Sequence, residues 1–284
     1  MQRLIFAARD GHTLCAYRFD PDGPAKANVI IAAAMAVPQS FYAAFARYLA
    51  TRGYTAWTFD YRGIGESLTG SLREVKADLS DWLIKDYDAL LHKAGEESPQ
   101  RPVFVVGHSF GGQVAPLLPS RERLSGLVNI AVGSGSMRHI RPRIRRSAPL
   151  MWHVLAPLFC PIFGYFPGAR LGVIGDLPSG AMFQWRRWCL TPDYLLPGEP
   201  GAREAYASAD YPVLALNFAD DEMLLEDGSR LIHGAYRKRS VDYRLLEPAQ
   251  YNLPRIGHFG FFKPQSEAAL WPLGIEWLDR EARR

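Results

Sequence analysis

A short apolar run that ends in a glycine-flanked serine is the feature that most constrains how this chain can fold. Residues 102–112 read Pro-Val-Phe-Val-Val-Gly-His-Ser-Phe-Gly-Gly. The run Val103–Val106 is typical of a buried strand, and Gly107, Ser109 and Gly111 form the pattern Gly-x-Ser-x-Gly. This pattern predicts a sharp turn from strand to helix, because a Cβ atom at either glycine would collide with the turn. Ser109 then projects from the sheet edge as a candidate nucleophile, and a serine that only caps the helix is the alternative.

Strand-like and helical patterns alternate along most of the chain. Strands are predicted at Leu4–Ala8, Thr13–Phe19, Asn28–Ala34, Thr55–Asp60, Val103–Gly107, Gly126–Ala131, Val213–Phe218 and Val241–Leu246. Helices are predicted at Phe41–Thr51, Asp81–Lys93, Ser109–Leu118, Gly228–Tyr236 and Ser266–Arg280. The middle strands are almost continuously apolar, as in parallel strands covered on both faces, whereas the first two alternate like an antiparallel edge. The alternation predicts an α/β fold with a mainly parallel sheet.

The alternation stops between residues 134 and 210, a stretch rich in Pro, Trp, Phe and Arg. It is too long for a simple loop, so we expect an insertion over the carboxyl edge of the sheet, where open α/β sheets bind ligands. The predicted organisation is a core of residues 1–133 and 211–284 with a cap of residues 134–210. The aromatic side chains that can either line an acyl pocket or pack this cap onto the core are Trp152, Phe159, Phe163, Tyr165, Phe166, Trp185 and Trp188.

Positive charge is concentrated in the same stretch. The chain has a net charge of +4, but residues 137–192 hold eight arginines and a single acid, a local charge of +7. A basic patch confined to one segment does not predict a nucleic-acid partner. It indicates an anionic substrate end, a membrane surface, or contacts with an acidic core.

An uncharged run of residues, 147–169, lies inside this basic stretch. Its length suits a transmembrane helix, but prolines 149, 157, 161 and 167 and Gly164 argue against one continuous helix. We therefore expect a lid with an apolar inner face. Peripheral contact with a membrane, through the apolar run and its flanking arginines, is the alternative.

A nucleophilic serine needs a general base within hydrogen-bond distance, and the base needs an acid that orients it. His233 and His258 are the histidines that follow both Ser109 and a candidate acid. His233 lies within a helical pattern, whereas His258 lies in a Gly-His-Phe-Gly loop between the last strand and the last helix. A loop there can return an imidazole over the sheet edge, so His258 is the predicted base.

The orienting acid is expected where the strand Val213–Phe218 ends. Three acids follow it closely: Asp220, Asp221 and Glu222. Spacing favours Asp221 over Asp220. A solvated turn or a helix cap is the alternative interpretation of such a cluster.

When a serine attacks a carbonyl group, the carbonyl oxygen becomes an oxyanion, and two backbone N–H groups must stabilise it. Phe110, directly after the serine, supplies one, and the turn after the strand Asn28–Ala34 should supply the other. We find no phosphate-binding loop and no metal-ligand spacing, so neither a cofactor nor a metal is predicted. Cys15, Cys160 and Cys189 are odd in number and follow no disulfide spacing, which favours a reducing compartment and a cytoplasmic location.

With these residues placed, the chain resembles the α/β-hydrolase superfamily, and within it the serine aminopeptidase-like or monoacylglycerol lipase-like branch. The similarity lies in Gly107–Gly112, in Phe59–Ser67, which looks like that branch's Asp-x-Arg-Gly-x-Gly-x-Ser segment, and in Pro212–Asp221. It implies the α/β-hydrolase fold, a mainly parallel eight-stranded sheet with helices on both faces and an inserted cap. Relatives usually carry His-Gly at the oxyanion turn, where this chain has Ala33-Ala34. That alignment makes Met35 the second donor.

The predicted function is a serine hydrolase that cleaves a carboxylic ester, with an apolar acyl chain, through an acyl-enzyme on Ser109. Acyl transfer and amide or peptide hydrolysis use the same three residues and stay open. A non-catalytic ligand-binding protein is a third possibility, which the altered oxyanion turn favours. The expected partner is a small acyl substrate, and a structural role is expected for Asp60 and Arg62.

Overall fold

The computed structural model describes all 284 residues. Its strands are β1 (Gln2–Ala7), β2 (Thr13–Phe19), β3 (Asn28–Ala32), β4 (Thr55–Phe59), β5 (Val103–His108), β6 (Leu124–Ile130), β7 (Tyr165–Phe166), β8 (Leu177–Pro178), β9 (Val213–Phe218) and β10 (Val241–Leu246). Its α-helices are α1 (Ala43–Thr51), α2 (Leu79–Asp81), α3 (Asp88–Glu97), α4 (Phe110–Val114), α5 (Pro142–Leu150), α6 (Ala156–Phe163), α7 (Gly168–Leu171), α8 (Ser179–Leu190), α9 (Leu195–Gly198), α10 (Ala202–Ser208), α11 (Glu226–His233) and α12 (Trp271–Glu281). Two π-helical turns, Trp82–Tyr87 and Met151–Leu155, join α2 to α3 and α5 to α6.

One eight-stranded sheet organises the molecule, in the order β1-β2-β4-β3-β5-β6-β9-β10. At one edge, β2 pairs antiparallel with both β1 and β4. The other neighbouring strands of this sheet, in the order β4-β3-β5-β6-β9-β10, all pair parallel. The mainly parallel sheet and its antiparallel edge are therefore confirmed. All the predicted strands form, and those at Thr13–Phe19, Val213–Phe218 and Val241–Leu246 match residue for residue.

The parallel strands in the middle of the sheet are buried along their whole length, which is why their sequences lack alternation. Helices pack around them. The ring of Trp277 in α12 lies against Phe104 of β5, with ring centroids 6.2 Å apart. The hydrophobic core extends from the strands into these helices as one cluster.

Each of the five predicted helices differs at one or both ends from the helix observed. The helix expected over Ser109–Leu118 ends at Val114 and continues as a 3-10 turn, Ala115–Leu117, because Pro116 has no N–H to donate to the preceding turn. The helix expected from Ser266 begins only at Trp271. In its place, residues Pro264–Ser266 form a 3-10 turn in which the Ser266 hydroxyl donates to the carbonyl of Gly260.

The segment 134–210 adds no strand to the large sheet. It connects β6 to β9 and holds α5 to α10 and the small antiparallel pair β7-β8. As predicted, residues 147–169 do not form one continuous helix, because Gly164 and β7 follow Phe163. The prolines at 149, 157 and 161 do not cause the break, since the residues from Pro142 to Phe163 form a single helical run through the π-helical turn. The prolines at 149, 157 and 161 are all exposed, so water can bind the carbonyls that lose their partners.

That helical run ends at Gly164, whose φ of 80° lies in the left-handed region that terminates helices. None of the helices combines the length and the apolar character that a transmembrane span needs. The three cysteines are buried and unpaired.

Arg62 forms two salt bridges, which agree with the structural role expected for it. Its guanidinium contacts the buried Asp86 carboxylate at 2.6 Å and Asp10 at 2.8 Å. Asp60 accepts hydrogen bonds from the Gln39 and Glu66 backbone N–H groups, at 2.7 and 2.9 Å. Both side chains therefore hold loops together at the carboxyl end of β4.

Candidate active site

Ser109 occupies the sharp turn between β5 and α4. Its backbone has φ 48° and ψ −114°, a conformation that side-chain-bearing residues rarely adopt. The turn is held by a 3.0 Å hydrogen bond from the Ser109 N–H to the carbonyl of Ile130 in β6. A Cβ atom at Gly107 would meet the backbone of Gly112, and one at Gly111 would meet the carbonyl of Ala32. The glycines are therefore required by close backbone approach, as the motif predicts.

His258 and Asp221 meet beneath this turn. The His258 Nδ1 atom lies 2.7 Å from Asp221 Oδ2, and both side chains are buried. A carboxylate can only accept, so Nδ1 carries the proton and Nε2 is left free to act as a base. Burial acts to raise the pKa of Asp221, but the hydrogen bond and charge of His258 outweigh it, so that pKa lies below its ordinary value.

The neighbouring acids, Asp220 and Glu222, bind the backbone of the loop that carries His258. Asp220 accepts the N–H groups of Ile256 and Gly257, at 2.9 and 3.0 Å. Glu222 accepts the N–H of His258 at 2.8 Å. All three consecutive acids thus act on one loop, and only Asp221 contacts the imidazole.

The turn after β3 has the geometry of a type II turn. The Val37 N–H donates to the carbonyl of Ala34 at 3.1 Å, and Ala36 takes the positive φ of 58° that such a turn needs. The strained position is therefore two residues later than the Ala33-Ala34 pair that the resemblance singles out. Met35 makes no backbone hydrogen bond through its N–H, so that donor is free.

The second predicted donor, Phe110, is the first residue of α4. Its N–H has no partner within the helix, as in the first turn of any α-helix. Met35, Phe110, Ser109 and His258 all line one cavity. The structure thus brings together at one site the residues that the sequence predicts to be catalytic. Asp221 does not line the cavity but contacts His258.

No hydrogen bond joins the Ser109 hydroxyl to His258 in this structure. In the absence of substrate such contacts are often long, and they shorten when the acyl group is bound.

Two functional neighbours were missed by the sequence analysis, Tyr42 and His108. The Tyr42 hydroxyl accepts the Ala34 N–H at 2.8 Å and lies 2.9 Å from His108 Nδ1. His108 Nε2 lies 2.9 Å from the carbonyl oxygen of His258. Burial, followed by the charge of His258, lowers the pKa of His108 to about 3, so its imidazole is neutral. The only sequence signal was the position of His108 inside the serine motif.

The cavity above Ser109 has a volume of about 380 Å³ and is mostly apolar. It is closed on one side by the segment 134–210, through Ile140, Ile144, Met151 and Trp152 among others. No Asp, Glu, Lys or Arg side chain lines it. A buried site without charges favours an uncharged, apolar group next to the serine.

Only two of the seven candidate aromatics, Trp152 and Trp185, line the cavity, with their rings 5.0 Å apart in an edge-to-face arrangement. Trp188 packs against Phe110 and Tyr194 instead. The others do not reach the cavity.

The arginines of the segment 134–210 also point elsewhere. Arg141 donates to the carbonyls of Ala219 and Asp221, both at 2.7 Å, and Arg187 pairs with Glu199 at 3.1 Å. No arginine reaches the cavity, so the interpretation of the basic stretch as a site for an anionic substrate end finds no support.

The sequence matches the family model described as serine aminopeptidase, S33, over residues 23–167, which is half of the chain. The chain belongs to this family of serine hydrolases. The match covers β3 to β7, and with them the serine turn and the candidate oxyanion turn. No curated protein matches the sequence.

Solved structures show the same fold at low sequence identity. Monoglyceride lipase from Saccharomyces cerevisiae, solved as a soluble variant with a substrate analogue, is 18% identical, with a TM-score of 0.68 over 99% of this chain and 94% of that one. Monoacylglycerol lipase from Paleococcus ferrophilus is 15% identical, with a TM-score of 0.61 over 94% of this chain and 99% of that one. Mouse α/β hydrolase domain-containing protein 10 is 16% identical, with a TM-score of 0.60 over 99% of both chains. The chain therefore has the α/β-hydrolase fold.

Proposed function

We propose that this protein hydrolyses uncharged carboxylic esters with an apolar acyl chain. The observation that carries the proposal is an apolar cavity without charged side chains that has Ser109 and His258 in its wall. The hydrogen bond of 2.7 Å between His258 and Asp221 supplies the oriented base that such a serine needs. The segment 134–210 acts as the cap of this site.

The reaction proceeds through an acyl-enzyme. Ser109 Oγ attacks the ester carbonyl while its proton passes to His258 Nε2, and the carbonyl oxygen takes the negative charge. The free N–H groups of Met35 and Phe110 donate to that oxyanion. His258 then returns the proton to the leaving alcohol as the C–O bond breaks.

Deacylation repeats these steps with water. His258 Nε2 takes a proton from the water molecule, whose oxygen attacks the acyl carbon. The second tetrahedral intermediate collapses, Ser109 Oγ recovers the proton from the imidazolium, and the carboxylic acid leaves. Throughout, Asp221 remains ionised and stabilises the imidazolium.

The test combines labelling with turnover. A reporter fluorophosphonate, mapped by peptide mass spectrometry, is expected to modify Ser109 in the wild type, and to modify neither Ser109→Ala nor His258→Ala. Neutral p-nitrophenyl esters of graded acyl length should then be cleaved. A matched ester with a terminal carboxylate on the acyl chain should be slower by roughly a hundredfold, since an unpaired charge is costly to bury.

Other outcomes point to the alternatives. Rapid acylation without release of acid, relieved by an added alcohol or amine, would show acyl transfer. Turnover of amides at rates that match the esters would show an amide hydrolase. Folded wild-type protein that binds acyl ligands but never acquires the label would show a binding protein and contradict the proposal.

A further inference from the structure

The outer face of the helical run 142–163 exposes a row of large apolar side chains. Leu150, Val154, Leu158 and Ile162 follow one another at intervals of four residues, and they are 54%, 47%, 49% and 55% exposed. Residues four apart lie on one helix face, and the wider π-helical turn at Met151–Leu155 reduces the drift of this row around the axis. Single exposed apolar residues are ordinary, but a continuous row marks a contact surface.

Positive charge lies at the start of this row. Arg146 precedes Leu150 by four residues, and Arg143 and Arg145 are exposed beside it. None of these three guanidinium groups forms a salt bridge. The row itself contains no acid, so the surface combines unpaired cations with exposed apolar side chains.

The opposite face of the same helical run lines the candidate active site. Ile144, Ala148, Met151 and Trp152 border the cavity above Ser109. Val173, which is 44% exposed, both borders that cavity and faces solvent. A hydrophobic molecule held at the outer face would therefore have only the thickness of one helix to pass before reaching Ser109.

We propose that this face, which comprises Arg143, Arg145, Arg146, Leu150, Val154, Leu158 and Ile162, docks on the surface of a lipid bilayer that contains anionic lipid. An interfacial helix has this pattern, with an apolar side inserted at the acyl boundary and cations at the headgroups. Unpaired arginines complement anionic headgroups, whereas pairing with a second copy of this chain would bring like charges together. A convex helix face also suits a fluid surface, which needs no matching groove.

The test measures binding directly and needs no substrate, so its outcome is separate from that of the proposed hydrolysis. Full-length protein is mixed with vesicles of phosphatidylcholine alone, or of phosphatidylcholine with phosphatidylserine, and separated by flotation. We expect binding to the vesicles that contain phosphatidylserine, weaker binding to phosphatidylcholine alone, and loss of the difference at high salt.

Two sets of variants locate the surface. Ile162→Glu should lower binding of the protein to the vesicles by roughly tenfold or more, because the apolar side chain that would enter the acyl boundary is lost. Ile5→Glu on the edge strand β1 is the matched control, since Ile5 is also 55% exposed, and it should bind like the wild type.

The charge set replaces Arg143, Arg145 and Arg146 with Gln. This variant should lose the preference for phosphatidylserine, and its binding to vesicles that contain phosphatidylserine should fall by roughly tenfold or more. Its control replaces Arg237, Lys238 and Arg239 with Gln, a basic trio that precedes β10 at the amino end of the parallel strands. All these positions are exposed, and thermal unfolding verifies that each variant is folded.

Three results would overturn the proposal. One is a wild type that floats with neither kind of vesicle. Another is binding that Ile162→Glu and the arginine set leave unchanged. The third is a wild type that is dimeric without vesicles while Ile162→Glu is monomeric, which would make the face an interface between two copies.

Discussion

The hydroxyl of Tyr42 lies 2.9 Å from Nδ1 of the buried His108 and joins the two halves of the candidate active site. Because His108 is neutral and its Nε2 faces a carbonyl, Nε2 carries the proton and Nδ1 accepts from Tyr42. The chain of hydrogen bonds runs from the Ala34 N–H through Tyr42 and His108 to the His258 carbonyl. The candidate oxyanion turn and the histidine loop are therefore connected to each other through the core.

Tyr42→Phe removes the middle of this chain. We expect kcat on a neutral ester to fall by about tenfold, because the turn that carries the Met35 N–H loses its anchor, with little change in KM. Steady-state kinetics measures the split between kcat and KM. The matched control is Tyr48→Phe, a buried tyrosine in α1 whose hydroxyl makes no hydrogen bond to another residue, and it should retain wild-type kcat. Equal losses in both variants would show that packing, not the hydrogen bonds, matters.

Asp221→Asn tests the orienting acid. An amide cannot hold the His258 Nδ1–H as a carboxylate does, and we expect kcat to fall by about four orders of magnitude. Asp220→Asn should cost far less, about tenfold, because Asp220 contacts only the backbone of the loop. Comparable losses of kcat in the two variants would contradict the assignment of Asp221 over its neighbour.

A Cβ atom at Gly111 should destabilise the fold. It would meet the backbone carbonyl of Ala32, which cannot move without distorting β3. Gly111→Ala is therefore expected to lower the free energy of unfolding by about 1–3 kcal/mol or more. Gly274→Ala in α12, where a Cβ atom would meet nothing within 4 Å, should raise it by about 0.5–1 kcal/mol. Urea unfolding measures the free energy of unfolding of both variants, and we expect the two changes relative to the wild type to have opposite signs.

Burial lowers the pKa of His233 to about 4, so the folded protein keeps this imidazole neutral below pH 6. The unfolded chain takes up that proton near pH 6.5, and the free energy of unfolding therefore falls as the pH is lowered through this window. Each buried histidine of this kind changes the free energy of unfolding by about 1.4 kcal/mol per pH unit within its window. His108 acts in the same direction, whereas Asp86, whose pKa burial raises to about 6, opposes both.

His233→Gln isolates this contribution. Relative to the wild type, the variant should lose about 1.4 kcal/mol per pH unit of slope between pH 4 and pH 6.5, while the other groups cancel in the difference. Urea unfolding at a series of pH values measures the slope. A variant that is less stable by the same amount at every pH would show that His233 does not contribute in this way.

The sequence predicted the sheet well because buried parallel strands are continuous apolar runs bounded by turn residues, as in Val213–Phe218. It predicted the turn at Ser109 because the glycines at 107 and 111 are required by backbone contacts that only a strand-to-helix turn creates. It predicted the interruption of residues 147–169, which occurs at Gly164, but it did not predict that the helical run 142–163 tolerates three prolines because they face solvent.

The roles of the acids after β9 depended on tertiary structure. Asp220, Asp221 and Glu222 are adjacent and chemically alike, and only the path of the loop 256–258 decides which carboxylate meets Nδ1 of His258. The link from Tyr42 through His108 was hidden for the same reason, since its members are 66 and 150 residues apart. Local patterns determine which segments become strands, helices and turns. Contacts between distant residues depend on how those segments pack, and only the folded chain decides them.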